Sequence, residues 1–142
     1  MVRWLTAPIR DRLRVAAVSL LDVQGRQQRR RAARQADLAR RNQALHSSRE
    51  LLRACLHAEQ LAQFDRDGWF MVSGRTYDYR INHGRMANVE LLARDGSCMR
   101  RLCFYPVVGG GRELPVFDVM LAQKLMLEAD ESGALAIAVG HQ

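Results

Sequence analysis

Apolar residues near the start of the chain recur every three or four positions, which is the spacing of one helix face. The residues on this face are Leu5, Ile9, Leu13, Ala16 and Leu20. Thr6 suits a helix N-cap and Pro8 suits the first turn. The pattern predicts an amphipathic helix over residues 3–21, with Gly25 as the one plausible break before the next segment.

Residues 26–64 contain no Pro or Gly and consist mostly of good helix formers. Between positions 26 and 41 the apolar positions form only a thin alanine stripe, whereas leucines return from Leu45 onward. A continuous helix over 26–64 would be about 58 Å long at 1.5 Å per residue. We expect so long a projection to pair with another helix or with another copy of the chain.

The pattern changes at Asp65-Arg66-Asp67-Gly68, which is typical of a turn. Short strands are predicted after it at 69–73, 77–81, 87–92 and 98–105, and the apolar residues of 77–81 alternate as in a half-buried strand. Asp95-Gly96 is a strong hairpin turn between the last two segments. Three or four antiparallel strands follow from these signals.

Pro115 precedes a helix predicted over residues 116–131, whose apolar residues point in nearly every direction around the axis. A helix with this pattern is buried on more than one side. One side can cover the sheet, and the other requires the N-terminal helix or another subunit. We therefore expect that a charged residue on any side of this helix disrupts folding or assembly. Leu125→Asp is one such change. Residues 134–139 fit a short helix or a strand equally well.

These elements predict an α+β fold, with a long basic helical arm at residues 1–64 and a small domain at 65–142. The domain is expected to be a small antiparallel sheet of three to four strands packed by one C-terminal helix. Apolar surfaces on the arm and on that helix are expected to need partners, which predicts a homo-oligomer or a larger assembly. The residues assigned to this interface are Leu45, Leu52, Leu56, Met120, Leu125 and Leu127.

Charge is distributed unevenly along the chain. Residues 1–62 carry thirteen Arg against five acids, whereas residues 63–142 carry eight Arg and one Lys against ten acids. The whole net charge of +7 therefore lies in the first half. A concentrated basic helix beside a nearly neutral domain favours a polyanion-binding or assembly protein over an enzyme.

Seven arginines opposed by a single acid, Asp37, form the candidate binding site, and nucleic acid phosphates are the predicted ligand. They are Arg26, Arg29, Arg30, Arg31, Arg34, Arg40 and Arg41. Guanidinium groups bind phosphate bidentately and stay charged at physiological pH. The competing interpretation is a solvated helix face. Arg outnumbers Lys twenty-one to one, which is typical of a GC-rich genome and can account for part of the excess.

Enzymatic chemistry has little support in the sequence, and no catalytic residue, cofactor or metal site is predicted. The carboxylates of Asp78, Glu90, Asp118 and Glu128 lie on elements that could approach one another, but no local catalytic signature joins them. The four histidines lack a second ligand at metal spacing. The odd number of cysteines, three, suits a reducing compartment.

Residues 77–131 carry a pattern that resembles a small uncharacterised domain of bacteriophage and prophage proteins. Its most specific part is the segment of the predicted helix from Asp118 to Glu131. The shorter matching segments are Tyr79-Arg80-Ile81, Gly84-Arg85, Asn88-Val89, Leu102-Cys103, Pro106 and Leu114-Pro115. The resemblance implies a phage or mobile-element setting and transfers no catalytic residues.

The leading hypothesis is a non-enzymatic structural or assembly protein, a phage virion component whose arginine-rich helix contacts nucleic acid phosphates without sequence preference. A regulatory nucleic-acid-binding protein in the cytoplasm is the first alternative. The second is a membrane-active ejected virion protein that uses the helix over residues 3–21. We expect a virion or bacterial cytoplasmic location, because the sequence shows no signal-peptide pattern and no apolar run long enough for a transmembrane helix.

Overall fold

A computed structural model describes the backbone of residues 7–104 and 114–141, and the side chains of residues 24–104 and 114–140. The described residues form an α+β fold, as predicted. The helices are α1 (Ala7–Cys55), α2 (Ala58–Asp67), α3 (Val116–Ala129) and α4 (Glu131–Ile137). The strands are β1 (Phe70–Ser73), β2 (Asp78–Ile81), β3 (Val89–Leu92), β4 (Cys98–Cys103) and β5 (Val139–His141).

The strands form one antiparallel sheet in the order β1-β2-β3-β4-β5. This sheet has one strand more than the predicted maximum of four. The additional strand, β5, has three residues, Val139-Gly140-His141, which are too few to show an alternating pattern. The four predicted strands all form, and the Asp95-Gly96 turn connects β3 to β4 with Gly96 at φ 80°.

Helix α1 runs without interruption through Gly25, where we predicted a break. One glycine costs a helix about 1 kcal/mol relative to alanine, and the helix formers on both sides offset this cost. The sequence left open whether residues 26–64 form one continuous helix, and the structure shows two helices, because α1 ends at Cys55 and α2 begins at Ala58. His57 adopts an extended conformation between the two helices, and its N–H donates to Gln60 Oε1 at 3.4 Å.

The chain divides into two compact units, residues 1–42 and residues 43–142. The sequence pattern placed the boundary at 64/65 instead. Residues 43–64 account for the difference, because Leu52, Leu56 and Phe64 belong to the same hydrophobic core as the sheet. We call residues 43–142 the sheet unit.

The core of the sheet unit lies between one face of the sheet and the helices. Phe64 of α2 makes edge-to-face contacts with Phe70 of β1 and Phe117 of α3, at ring-centroid distances of 6.3 and 5.9 Å. Tyr79 and Ile81 of β2 are fully buried beside them. Aromatic pairs of this geometry add about 0.5–1.5 kcal/mol each beyond the burial of their area.

Four of the six residues assigned to an oligomer interface lie in this core. Leu52, Leu56, Met120 and Leu127 are all buried within the chain itself. Their apolar character is therefore explained by folding of the monomer, and this part of the interface prediction is corrected.

The outer edge of β1 is capped by side chains from α2. Gln63 Oε1 accepts a hydrogen bond from the Met71 N–H at 2.8 Å, and Gln60 Nε2 donates to the Met71 carbonyl at 2.7 Å. The two amides take the place of a neighbouring strand. An edge satisfied in this way is protected against pairing with another chain.

Candidate nucleic-acid interface

The seven arginines predicted to bind phosphate all lie on α1, and all of them are exposed. One continuous helix carries them, so the helix period sets their relative positions. We call residues 26–41 the arginine arm. From Arg26 to Arg41 the arm extends about 22 Å at 1.5 Å per residue.

The arginines are concentrated on one side of the arm. At about 100° per residue, six of the seven fall within an arc of about 140° around the helix axis. Arg31 lies about 60° beyond one margin of this arc. The opposite side carries the uncharged, exposed residues Gln28, Ala32, Gln35 and Ala39. The two sides of the arm therefore differ in charge, and not in hydrophobicity as in an ordinary amphipathic helix.

Asp37, the one acid in this segment, lies inside the basic arc. Its Oδ1 is 3.3 Å from Arg40 Nη2, and its Oδ2 is 3.2 Å from Arg41 Nε. The two arginine side chains remain 74% and 76% exposed. Ion pairs this exposed contribute about 0–1 kcal/mol, so they do not prevent either guanidinium from contacting a phosphate.

Two residues assigned to an oligomer interface are on the surface. Leu45 is 43% exposed on α1, and Leu125 is 51% exposed on α3. Helix α3 is buried over most of its circumference, but Leu125 marks an exposed side. Folding of the monomer therefore does not explain an intolerance of charge at Leu125, and the expectation stays a prediction about assembly.

The segment that the membrane-active alternative would use, residues 3–21, lies outside the residues whose side chains the structure describes. Among the described residues, none of the helices has the length and apolar content needed to cross a bilayer.

Two of the four carboxylates considered for catalysis are held in ion pairs. Glu90 of β3 is buried and forms ion pairs with Arg80 and Arg101 on the neighbouring strands. Glu128 accepts from Lys124 on the same helix at 2.7 Å through both of its oxygens. Burial raises the pKa of the half-buried Asp118 carboxyl, and Asp78 is exposed. In the described part of the chain, no group of three His, Cys, Asp or Glu residues could hold a metal ion.

Glu131 is a buried carboxylate that the sequence interpretation missed. Its Oε2 accepts from the Thr76 N–H at 2.8 Å, and its Oε1 accepts from the Tyr77 N–H at 3.0 Å and the Tyr79 hydroxyl at 2.7 Å. Burial alone would raise the pKa of Glu131, but these hydrogen bonds outweigh it and lower the pKa. Burial and the hydrogen bond to Glu131 raise the pKa of Tyr79.

A helix-start signal could have revealed the position of Glu131. Asp130 caps α4 by accepting from the Gly133 N–H at 3.0 Å, so Asp130-Glu131-Ser132-Gly133 begins a second helix. The sequence pattern predicted a single helix over residues 116–131, which placed Glu131 at its end. All three donors to Glu131 come from the β1–β2 turn and β2, which indicates that this carboxylate stabilises the turn.

A second buried polar cluster connects α3 to the sheet. The side-chain amides of Asn88 and Gln123 exchange two hydrogen bonds, at 2.8 and 2.9 Å. Gln123 Nε2 also donates to the Phe104 carbonyl at 3.1 Å, and Asn88 Nδ2 donates to the Asn82 carbonyl at 3.1 Å. In the described residues, every buried side-chain nitrogen and oxygen has a hydrogen-bond partner. The cluster therefore has a structural explanation.

Comparisons of the chain with protein-family models, with curated proteins and with solved structures give no match. The resemblance of residues 77–131 to a phage domain accordingly stays a prediction. Among the described residues, the arginine arm is a surface feature whose composition packing does not explain.

Proposed function

We propose that this protein is a non-enzymatic structural or assembly protein whose arginine arm binds nucleic acid phosphates. The observation that carries the proposal is the exposure of seven arginines along about 22 Å of one helix, with Asp37 as the single acid among them. The phage-domain resemblance supports a phage virion component.

Nucleic acid supplies the density of negative charge that the arm requires. Duplex DNA carries one phosphate charge per about 1.7 Å of its axis, so 22 Å of duplex presents about 13 charges. Each arginine therefore has phosphates within reach. Contacts to phosphate position a protein but carry no sequence information, so we expect binding without sequence preference.

Self-association is the second part of the proposal. Leu45 and Leu125 are large apolar side chains that folding of the monomer leaves exposed, which supports contact with another copy. Light scattering of the purified protein at high salt and without nucleic acid tests this part. A fixed oligomer is expected, and a monomer at micromolar concentration contradicts it.

Binding is tested by fluorescence anisotropy with a random 30-base-pair duplex over a range of salt concentrations. If all seven arginines neutralise phosphates, log K falls against log salt with a slope of about −6. A triple variant carries Arg29→Gln, Arg30→Gln and Arg34→Gln and keeps four of the seven arginines. We expect its slope to be about −4 and its binding at 0.1 M salt to be about 500-fold weaker than that of the wild type.

A matched variant separates the arm from the net charge of the chain. Arg66, Arg75 and Arg94 are exposed on the sheet unit, and replacing all three with Gln removes the same three positive charges. We expect this control to bind nearly as the wild type does. Equal losses in the two triple variants would show a diffuse charge effect and contradict the proposed site.

Competition between duplexes separates this proposal from a regulatory role in the cytoplasm. A regulator prefers its own sequence over bulk DNA by about 10³-fold or more. We expect all random duplexes to compete equally. A selected sequence that binds 10³-fold more tightly would replace a structural role with a regulatory one.

A further inference from the structure

We infer that nucleic acid binding by the arginine arm is coupled to formation of its helix, so that the arm becomes fully helical only where phosphates are present. This inference rests on the proposed function and adds how that site is regulated. It is carried by the exposure of the arm and by the spacing of its arginines.

The arm lacks the burial that normally stabilises a helix in a protein. Within residues 26–41 every side chain is exposed or, at Asp37, half-exposed. Leu38, the only apolar residue of the arm larger than alanine, is 59% exposed. Leu52, which lies further along α1, is fully buried by contrast. Because most helix stability in proteins comes from the packing of one face, the arm is without its main source.

Repulsion between like charges weakens the helix of the arm further. Arg29, Arg30, Arg31 and Arg34 lie within six residues that contain no acid. Arg34 is four residues from Arg30 and three from Arg31, and like charges at these spacings oppose helix formation. Each such pair lowers the equilibrium constant for helix formation by about 1.5- to 2-fold. A phosphate that neutralises one of these guanidiniums removes its repulsion.

The missing burial and the repulsion act on the free protein, whereas bound phosphates act on the complex. When only a fraction of the free arm is helical, its apparent affinity is reduced by that fraction. Any change that stabilises the helix then strengthens binding, even where it adds no contact and no charge. An arm that is fully helical in the free protein shows no such effect.

The uncharged side of the arm allows the coupling to be measured without changing a charge. Ala32 and Ala39 lie opposite the basic arc and are exposed. Replacing either alanine with glycine lowers the equilibrium constant for helix formation by about 5-fold and leaves all seven arginines in place.

The first test measures binding of a random 30-base-pair duplex by fluorescence anisotropy at 0.1 M salt. We expect the double variant Ala32→Gly, Ala39→Gly to bind about 20-fold more weakly than the wild type. The matched control Ala54→Gly, Ala62→Gly makes the same changes at exposed helical positions outside the arm, and we expect its affinity to be unchanged. Wild-type affinity in the arm variant, or equal losses in the two double variants, would overturn the inference.

The second test stabilises the helix instead. Gly25 lies within α1 one residue before the arm, and the nearest atom to an added Cβ is 3.8 Å away. Gly25→Ala should strengthen duplex binding by about 5-fold although it adds no charge. Unchanged affinity in this variant would contradict the coupling.

The third test follows the helix itself by circular dichroism at 222 nm. Inorganic polyphosphate is the probe, because it carries phosphate charges without bases that absorb in the far ultraviolet. We expect saturating polyphosphate to increase the helix signal of the full chain. A signal that stays constant while polyphosphate binds would overturn the inference.

The two proposals fail in different ways. Salt-dependent duplex binding that is insensitive to the alanine and glycine changes would leave the proposed function standing and refute the coupling. Absence of salt-dependent binding to the duplex would refute both.

Discussion

Glu131 offers the sharpest test of how the sheet unit is stabilised. We predict that Glu131→Gln destabilises the protein by about 3 kcal/mol. The carboxylate is buried and accepts hydrogen bonds from Thr76, Tyr77 and Tyr79. The glutamine is nearly isosteric, so the change tests the charge and the acceptors rather than the packing.

The magnitude follows from the three hydrogen bonds. Replacing Oε2 with an amide NH₂ puts one donor against another at the Thr76 N–H, which costs about 1 kcal/mol because Thr76 is exposed. The bonds from Tyr77 and Tyr79 then have a neutral acceptor, and each loses about 1 kcal/mol because bonds to charged groups are the stronger ones. Tyr79→Phe removes a single donor and should cost about 1.5–2 kcal/mol.

Urea unfolding measures both changes. Trp69 lies beside Arg80, whose guanidinium carbon is 5.6 Å from the ring centroid, and it reports on the sheet by fluorescence in a Trp4→Phe background. With a slope of about 2 kcal/mol per molar urea, Glu131→Gln should lower the midpoint by about 1.5 M. Midpoints equal to that of the parent in both variants would refute the argument.

The pH dependence supplies an independent check. The folded state lowers the pKa of Glu131, so its stabilising effect is present above the unfolded pKa of about 4.3 and is lost as the pH falls through the folded pKa. The difference in stability between the parent and Glu131→Gln should therefore be constant near pH 7 and decrease below about pH 4.3. A difference that grows on acidification would contradict this sign.

Three further predictions concern the arm and the sheet edge. Asp37→Asn should strengthen DNA binding severalfold in the anisotropy assay, because a negative charge leaves the basic arc. Gly25→Ala should stabilise α1 by about 0.5–1 kcal/mol, seen as slower amide exchange around the site, since the nearest atom to an added Cβ is 3.8 Å away. Replacing Gln60 and Gln63 together with Ala should uncap Met71 on β1 and increase aggregation measured by light scattering.

The sequence pattern predicted the secondary structure wherever local signals were strong. The Asp95-Gly96 turn and the alternation in β2 each specified their element without help from the rest of the chain. Helix boundaries were predicted less well, because Gly25 carries a helix-breaking signal that its neighbours outweigh. The break after Cys55 has no Pro or Gly, so no local signal marks it.

The interface prediction failed at four residues for a different reason. A leucine stripe indicates that a helix face is buried, but it does not say what covers that face. Leu52 and Leu56 are covered by the sheet unit of their own chain, and Met120 and Leu127 by the same core. Pairings such as Glu131 with Tyr79, 52 residues apart, depend on the folded topology and could not be inferred from either residue alone.

The two units use their charged residues in different ways, and this difference supports the proposed function. In the sheet unit, Glu90 lies between two arginines and Lys124 is buried against Glu128, so these charges are satisfied within the fold. In the arginine arm, seven arginines share their segment with one acid and stay exposed. Genome composition can explain why arginine replaces lysine, but it acts on the whole chain and does not explain the concentration of arginine in sixteen residues. Like charges three and four residues apart destabilise a helix. The arginines of the arm therefore lower the stability of α1 unless a bound polyanion neutralises their repulsion.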